Sequence, residues 1–90
     1  MLFGKKKKGA VRPRICAVLP AAGSSDRMGG ENKLLMELDS VPILVHTLSA
    51  FERCDMIDDI IIVAREEDFV PYHSLCREYG LEKVRLIVRG

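Results

Sequence analysis

Two cations and a run of small residues crowd into one short segment, and they are the part of this sequence that could do chemistry. The segment is Pro20-Ala21-Ala22-Gly23-Ser24-Ser25-Asp26-Arg27-Met28-Gly29-Gly30-Glu31-Asn32-Lys33. Gly23 and its small neighbours let successive backbone N–H groups face outward, which makes an anion-binding nest. The hydroxyls of Ser24 and Ser25 can add donors. Arg27 and Lys33 bring two positive charges to the same loop. Donors for phosphate oxygens plus cations for charge growing on an attacked phosphorus suit a polyphosphate. The spacing excludes the two commonest phosphate loops. Walker A needs serine or threonine after its lysine, and Lys33 is followed by Leu34. The dinucleotide fingerprint GxGxxG is absent. On composition alone, a tight turn at Gly23 and solvated charges at Arg27 and Lys33 account for the same residues equally well.

Such a loop needs elements to hold it. Ile15-Cys16-Ala17-Val18-Leu19 is short, continuous and uncharged, and predicts a strand buried on both faces, with Cys16 as a small core residue. After the loop, Leu34 to Leu38 is a short extended piece and Asp39-Ser40 a turn. Pro42 opens a helix, where its missing N–H costs little. Ile43, Leu44, Thr47, Leu48 and Phe51 keep helical spacing, and the helix should end near Arg53. Ile57 to Ala64 predicts a second buried strand with a β-branched centre. Glu66, Glu67 and Asp68 are acids at the start of a second helix. That helix runs to about Tyr79, with Pro71 as a break near its start and Gly80 as its stop. Val84 to Val88 predicts a third strand. Alternating strands and helices predict an α/β parallel sheet with right-handed crossovers. In such sheets ligands bind at the carboxyl ends of the strands, where the Pro20–Lys33 loop emerges.

Composition bounds the rest. Ninety residues suit one small domain, and 48% hydrophobic residues exclude a disordered chain. No apolar run reaches the length of a membrane helix. Cys16, Cys54 and Cys76 are scattered, so reduced thiols in a cytoplasmic protein are the simplest account. Residues 1–14 carry six basic groups, Lys5 to Lys8 with Arg12 and Arg14, and no acid. A polybasic tail can contact nucleic acid or anionic lipid, but a block of like charge is most often a solvated leader. Residues 1–13 are therefore read as an unstructured basic leader, without nucleic-acid or membrane partners, and 14–90 as the domain.

Ala17-Val18-Leu19-Pro20-Ala21-Ala22-Gly23-Ser24-Ser25-Asp26-Arg27-Met28, with Lys33 close behind, resembles the AAGxGxRM…PK signature of nucleotidyltransferases. Within that group the chain is most similar to the 2-C-methyl-D-erythritol 4-phosphate cytidylyltransferases of the non-mevalonate isoprenoid route. Asn32-Lys33-Leu34-Leu35, Val41-Pro42-Ile43-Leu44-Val45-His46-Thr47-Leu48, Ala50-Phe51-Glu52 and Ile57-Asp58-Asp59-Ile60-Ile61-Ile62-Val63 carry that similarity. The resemblance implies a Rossmann-like parallel sheet with helices on both faces, of which the N-terminal β-α-β-α-β part is present. It implies cytidylyl transfer from CTP to methylerythritol phosphate with release of pyrophosphate, a magnesium ion and a cytoplasmic homodimer. By motif position, Arg27 and Lys33 are the catalytic cations, and Pro20, Ala21, Ala22, Gly23, Ser24 and Ser25 join them in binding the nucleotide.

The chain departs from the signature twice: Ser25 replaces its second glycine, and Asn32 replaces the proline before its lysine. Neither change removes a charge. The resemblance also implies that magnesium ligands, substrate contacts and the dimer arm lie past Gly90, so the 90 residues alone are expected to be inactive. Asp58 and Asp59 belong to the amino end of a strand and point away from the loop. His46 is expected to be structural, His73 a surface residue and Met28 a packing anchor behind the loop. Two alternatives share the loop: a nucleotidyltransferase acting on a sugar phosphate or molybdopterin, and a non-catalytic truncated fragment.

Overall fold

The computed structural model describes residues 12–23, 27–28 and 31–90, the side chains of residues 27, 28 and 31 excepted. A three-stranded parallel sheet forms its centre: β1 (Cys16–Pro20), β6 (Asp59–Ala64) and β7 (Val84–Arg89), in the order β1-β6-β7. Two short antiparallel ladders lie between β1 and the first helix. β2 (Arg27–Met28) pairs β3 (Glu31–Asn32), and β4 (Glu37–Leu38) pairs β5 (Val41–Pro42). Helix α1 (Ile43–Glu52) connects β5 to β6, and α2 (Phe69–Glu78) connects β6 to β7.

The β-branched run centred on Ile60–Val63 forms the central strand because only a strand paired on both edges can use it fully. β6 pairs β1 from Cys16↔Asp59 to Pro20↔Val63, and β7 on its other edge. Ile60, Ile62 and Ala64 are fully buried and share one cluster with Leu44 and Leu48 of α1, Tyr72 of α2, Ala21 and Leu81. Each isoleucine so buried contributes about 1.5–3 kcal/mol.

Both helices thus lie on one face of the sheet. Two crossovers of one hand, stepping the same way across a sheet, require this. The other face carries no described helix, and β1 has no described strand along its outer edge. The expectations of a β1 buried on both faces and of a core Cys16 are therefore corrected. Cys16 is exposed and Val18 is 59% exposed, because they point to the uncovered face.

The helix ends follow local chemistry. Gly80 at φ 64 closes α2, with Leu81 N–H donating to Cys76 O at 2.9 Å and Gly80 N–H to Arg77 O at 3.4 Å. That is a Schellman stop, sealed by buried Leu81. Pro71 falls inside the first turn of α2, where no intrahelical donor is required, and does not break it. Asp39 and Ser40 have φ of 56 and 68, as a two-residue hairpin turn requires, and join β4 to β5. His46 of α1 is exposed and holds this hairpin through Nε2 and Leu38 O at 2.7 Å, which is the structural role expected of it.

A bulge marks β7: the register passes from Ile60↔Val84 to Ile61↔Leu86, leaving Arg85 as the extra residue. The period of two breaks there, so Val84 and Ile87 reach the core while Leu86 is 55% exposed.

Candidate functional site

The carboxyl ends of β1, β6 and β7 bring three segments together. β1 ends at Pro20, and Ala21 N–H donates to Val63 O at 2.7 Å. Ala21 is buried, which pins the start of the loop to the central strand. Past β7, Gly90 N–H donates to Ala64 O at 3.1 Å. A Cβ on Gly90 would fall on Val63 Cγ1 and stand 3.2 Å from Ala22 Cβ. Glycine is needed at position 90 because two other chain segments occupy the space of a side chain.

Of the residues expected from sequence, Pro20, Ala21, Ala22 and Gly23 stand at this end of the sheet, in the expected order. Ser24, Ser25 and the side chains of Arg27 and Met28 lie outside the described residues. The backbone of Arg27 pairs with Asn32 in the β2–β3 ladder. The segment expected to be a plain loop thus folds back on itself, so that Arg27 and the neighbour of Lys33 are cross-strand partners.

Lys33 opens a 3₁₀ turn over Lys33–Leu35 where an extended piece was expected from Leu34 onward. Asn32 makes this turn. Its Oδ1 accepts from Leu34 N–H at 2.9 Å, an N-cap, and Met36 N–H closes the turn on Lys33 O at 3.1 Å. Leu34 and Leu35 pack on the core, so the turn is seated by its own apolar residues. Lys33 is half-buried.

Sequence patterns alone did not mark one further cation. Arg65 follows β6 directly, at the carboxyl end, and its Nε donates to Ala22 O at 3.2 Å. An arginine just after a central strand was the available clue. Tyr72 was equally unmarked: it is buried in the core and accepts from Asn32 Nδ2 at 2.7 Å. Nothing local in the sequence pairs residues so far apart.

The other end of the sheet is built from charge pairs. Arg12 donates to both carboxylate oxygens of Asp58, at 3.0 and 2.7 Å, and Ile15 N–H donates to Asp58 Oδ2 at 2.9 Å. Arg14 spans both oxygens of Asp59 at 2.9 Å, and Arg85 adds a third donor at 2.9 Å. The Arg12 guanidinium, with Ile15 N–H, holds the Asp58 carboxyl below its ordinary range. Hydrogen bonds from Arg14 and then Arg85 hold Asp59 at about 2. These aspartates thus stand at the amino end, away from the loop, as expected, and are engaged by arginines. His73 is at the surface, as expected.

Among the described residues, no group of three His, Cys, Asp or Glu side chains is placed to hold a metal ion. A groove of about 730 Å³ lies away from the loop, between α2 and the edge strand β7. Its walls include Phe69, Val70, Leu86 and Ile87 beside the edge of the sheet, with buried Leu81 at its base. No described helix is long and apolar enough to cross a membrane.

Ala21, Ala22 and Arg65 thus meet at the carboxyl ends of β1 and β6, and Lys33 heads a turn capped by Asn32. Residues 15–90 match the family model described as IspD: 2-C-methyl-D-erythritol 4-phosphate cytidylyltransferase. Curated relatives carry the same name. One from Dehalococcoides mccartyi is 42% identical over 77 residues, covering 86% of this chain and 34% of its own. One from Bacillus cereus is 42% identical over 74 residues, covering 81% and 33%, and one from Geotalea uraniireducens 42% over 83, covering 86% and 34%. The chain thus spans about a third of the length of the curated relatives it matches. With the match running from residue 15 to residue 90, the chain belongs to the 2-C-methyl-D-erythritol 4-phosphate cytidylyltransferase family.

Proposed function

We propose that residues 14–90 are the nucleotide-gripping first part of an enzyme that transfers a cytidylyl group from CTP to 2-C-methyl-D-erythritol 4-phosphate, with residues 1–13 as a basic leader. The observation that carries this reading is that the segment with the family's signature leaves the carboxyl end of β1 in a parallel sheet. In the reaction, an oxygen of the substrate's 4-phosphate bonds to the α-phosphorus of CTP. The bond from that phosphorus to the bridging oxygen breaks, and its electron pair leaves with pyrophosphate.

The backbone from Ala21 to Ser25 wraps the triphosphate, its N–H donors coming from Ala22 onward because that of Ala21 is held by Val63 O. Arg27 and Lys33 neutralise the charge that builds on the pentacoordinate phosphorus and on the departing pyrophosphate. Arg65, held by Ala22, adds a cation behind the loop. The family resemblance brings a requirement for magnesium, whose ligands we place in sequence past Gly90. The homodimer, the cytoplasmic setting and the choice of CTP over other nucleotides belong to the same proposal. On this reading the 90 residues alone turn over no substrate.

The test is pyrophosphate release from CTP and methylerythritol phosphate by the full coding frame that contains these residues. Arg27→Ala and Lys33→Ala should each lower kcat at least ~10²-fold, the scale of losing one preorganised transition-state donor. Near-normal turnover in both variants would refute the assigned roles, and preference for a purine nucleotide would remove the cytidylyl assignment.

A further inference from the structure

Asn32 is where the chain departs from the proline of its loop signature, and the structure shows what asparagine does there. Its backbone stands at φ −81 and ψ 110, near the φ that a proline ring imposes. Its side chain is used at both ends. Oδ1 accepts Leu34 N–H at 2.9 Å and closes the turn that begins at Lys33. Nδ2 donates to the Tyr72 hydroxyl at 2.7 Å. Tyr72 is 0% exposed and belongs to the cluster that joins both helices to β6. The base of Lys33 is therefore tied, through one amide, to the interior of α2.

We propose that Asn32 and Tyr72 are positioning residues that hold the Lys33 turn in its reacting geometry. The inference rests on the reading of Lys33 as a transition-state cation. A lysine ammonium rides on a flexible four-carbon stem, so its placement depends on a fixed backbone beneath it. A ring would stiffen that backbone locally. Asparagine instead uses two hydrogen bonds, and the second borrows rigidity from a core side chain forty residues away. Displacement of a catalytic group by about 1 Å can cost ~10²-fold in rate, so a strut that leaves the chemistry untouched still governs turnover.

Steady-state kinetics on the full coding frame test the strut with three variants. Tyr72→Phe keeps the ring in the core and deletes its oxygen; kcat should fall about tenfold or more while KM for CTP changes less than about threefold. In a Lys33→Ala background, Tyr72→Phe should cause no further loss, because the strut acts only through Lys33. The same loss in both backgrounds, or a lowered melting temperature with kcat per folded molecule unchanged, would overturn the proposal. If Lys33→Ala slows the enzyme and Tyr72→Phe does not, the strut alone is wrong. If Lys33→Ala is silent, the functional reading fails and the strut with it.

Discussion

Lys33 and Gly90 show how single residues at this site are defined by what surrounds them. Lys33 follows a capping asparagine and heads a turn whose leucines pack on the core, so its backbone is held from both sides. Gly90 stands where Val63 and Ala22 leave no room for a side chain. Overpacking of this kind costs about 1–3 kcal/mol, and here the loop would have to move to relieve it. Gly90→Val in the full coding frame should therefore weaken CTP binding about tenfold, each ~1.4 kcal/mol being one decade. Titration calorimetry with CTP checks this, and an unchanged affinity would show that the strand ends do not form the floor of the site. The turn out of the first strand at Ala21 to Gly23 was legible in the sequence, because a run of small residues is a local pattern. The roles of Asn32, Tyr72 and Arg65 were not, because each depends on a partner supplied by another element.

At the scale of elements, the two ends of the parallel strands are built differently. Their carboxyl ends hold the loop; their amino ends hold Arg12, Arg14, Asp58, Asp59 and Arg85 in charge pairs. Those arginines are substantially exposed, so each pair by itself is weak. The bidentate geometry and the sharing of Asp59 between Arg14 and Arg85 are what give the group order. Asp59 is depressed from 3.8 to about 2 in the folded chain. Its contribution is therefore complete above the unfolded value and is lost as pH falls through the folded one. Melting temperature should accordingly drop as pH is lowered from about 4 to about 2, and Asp59→Asn should flatten that part of the profile. A variant with the same slope as the parent would count against the clamp. Element order, the Gly80 stop and the Asp39-Ser40 turn were all legible from sequence, since turn residues and periodicity act over a few positions. The bulge at Arg85 was not, because a bulge is a mismatch between two strands and only their pairing reveals it.

At the scale of the whole molecule, the unequal faces of the sheet dominate. Both helices cover the face of Ile60 and Ile62, while Val18, Leu86 and Val88 are exposed large apolar residues. The outer edge of β1 adds a row of backbone groups without a described strand beside it. An apolar strip beside an open edge drives association between molecules. The 90-residue chain should therefore self-associate at micromolar concentration, and Val18→Thr with Leu86→Thr should shift it toward monomer. Sedimentation velocity reads the outcome, and identical profiles for the two proteins would sink the idea.

By itself the sequence determined the alternation of strands and helices and the place of the loop after the first strand. These follow from apolar periodicity, caps and turn chemistry, all local properties of a chain. Only the tertiary structure decided that both helices share a face, that Cys16 and Val18 lie outside the core, that Arg12 and Arg14 grip Asp58 and Asp59, and that Asn32 leans on Tyr72. Each of these is a contact between distant residues. Its partner is chosen by how elements pack, and no local pattern in the chain encodes that choice.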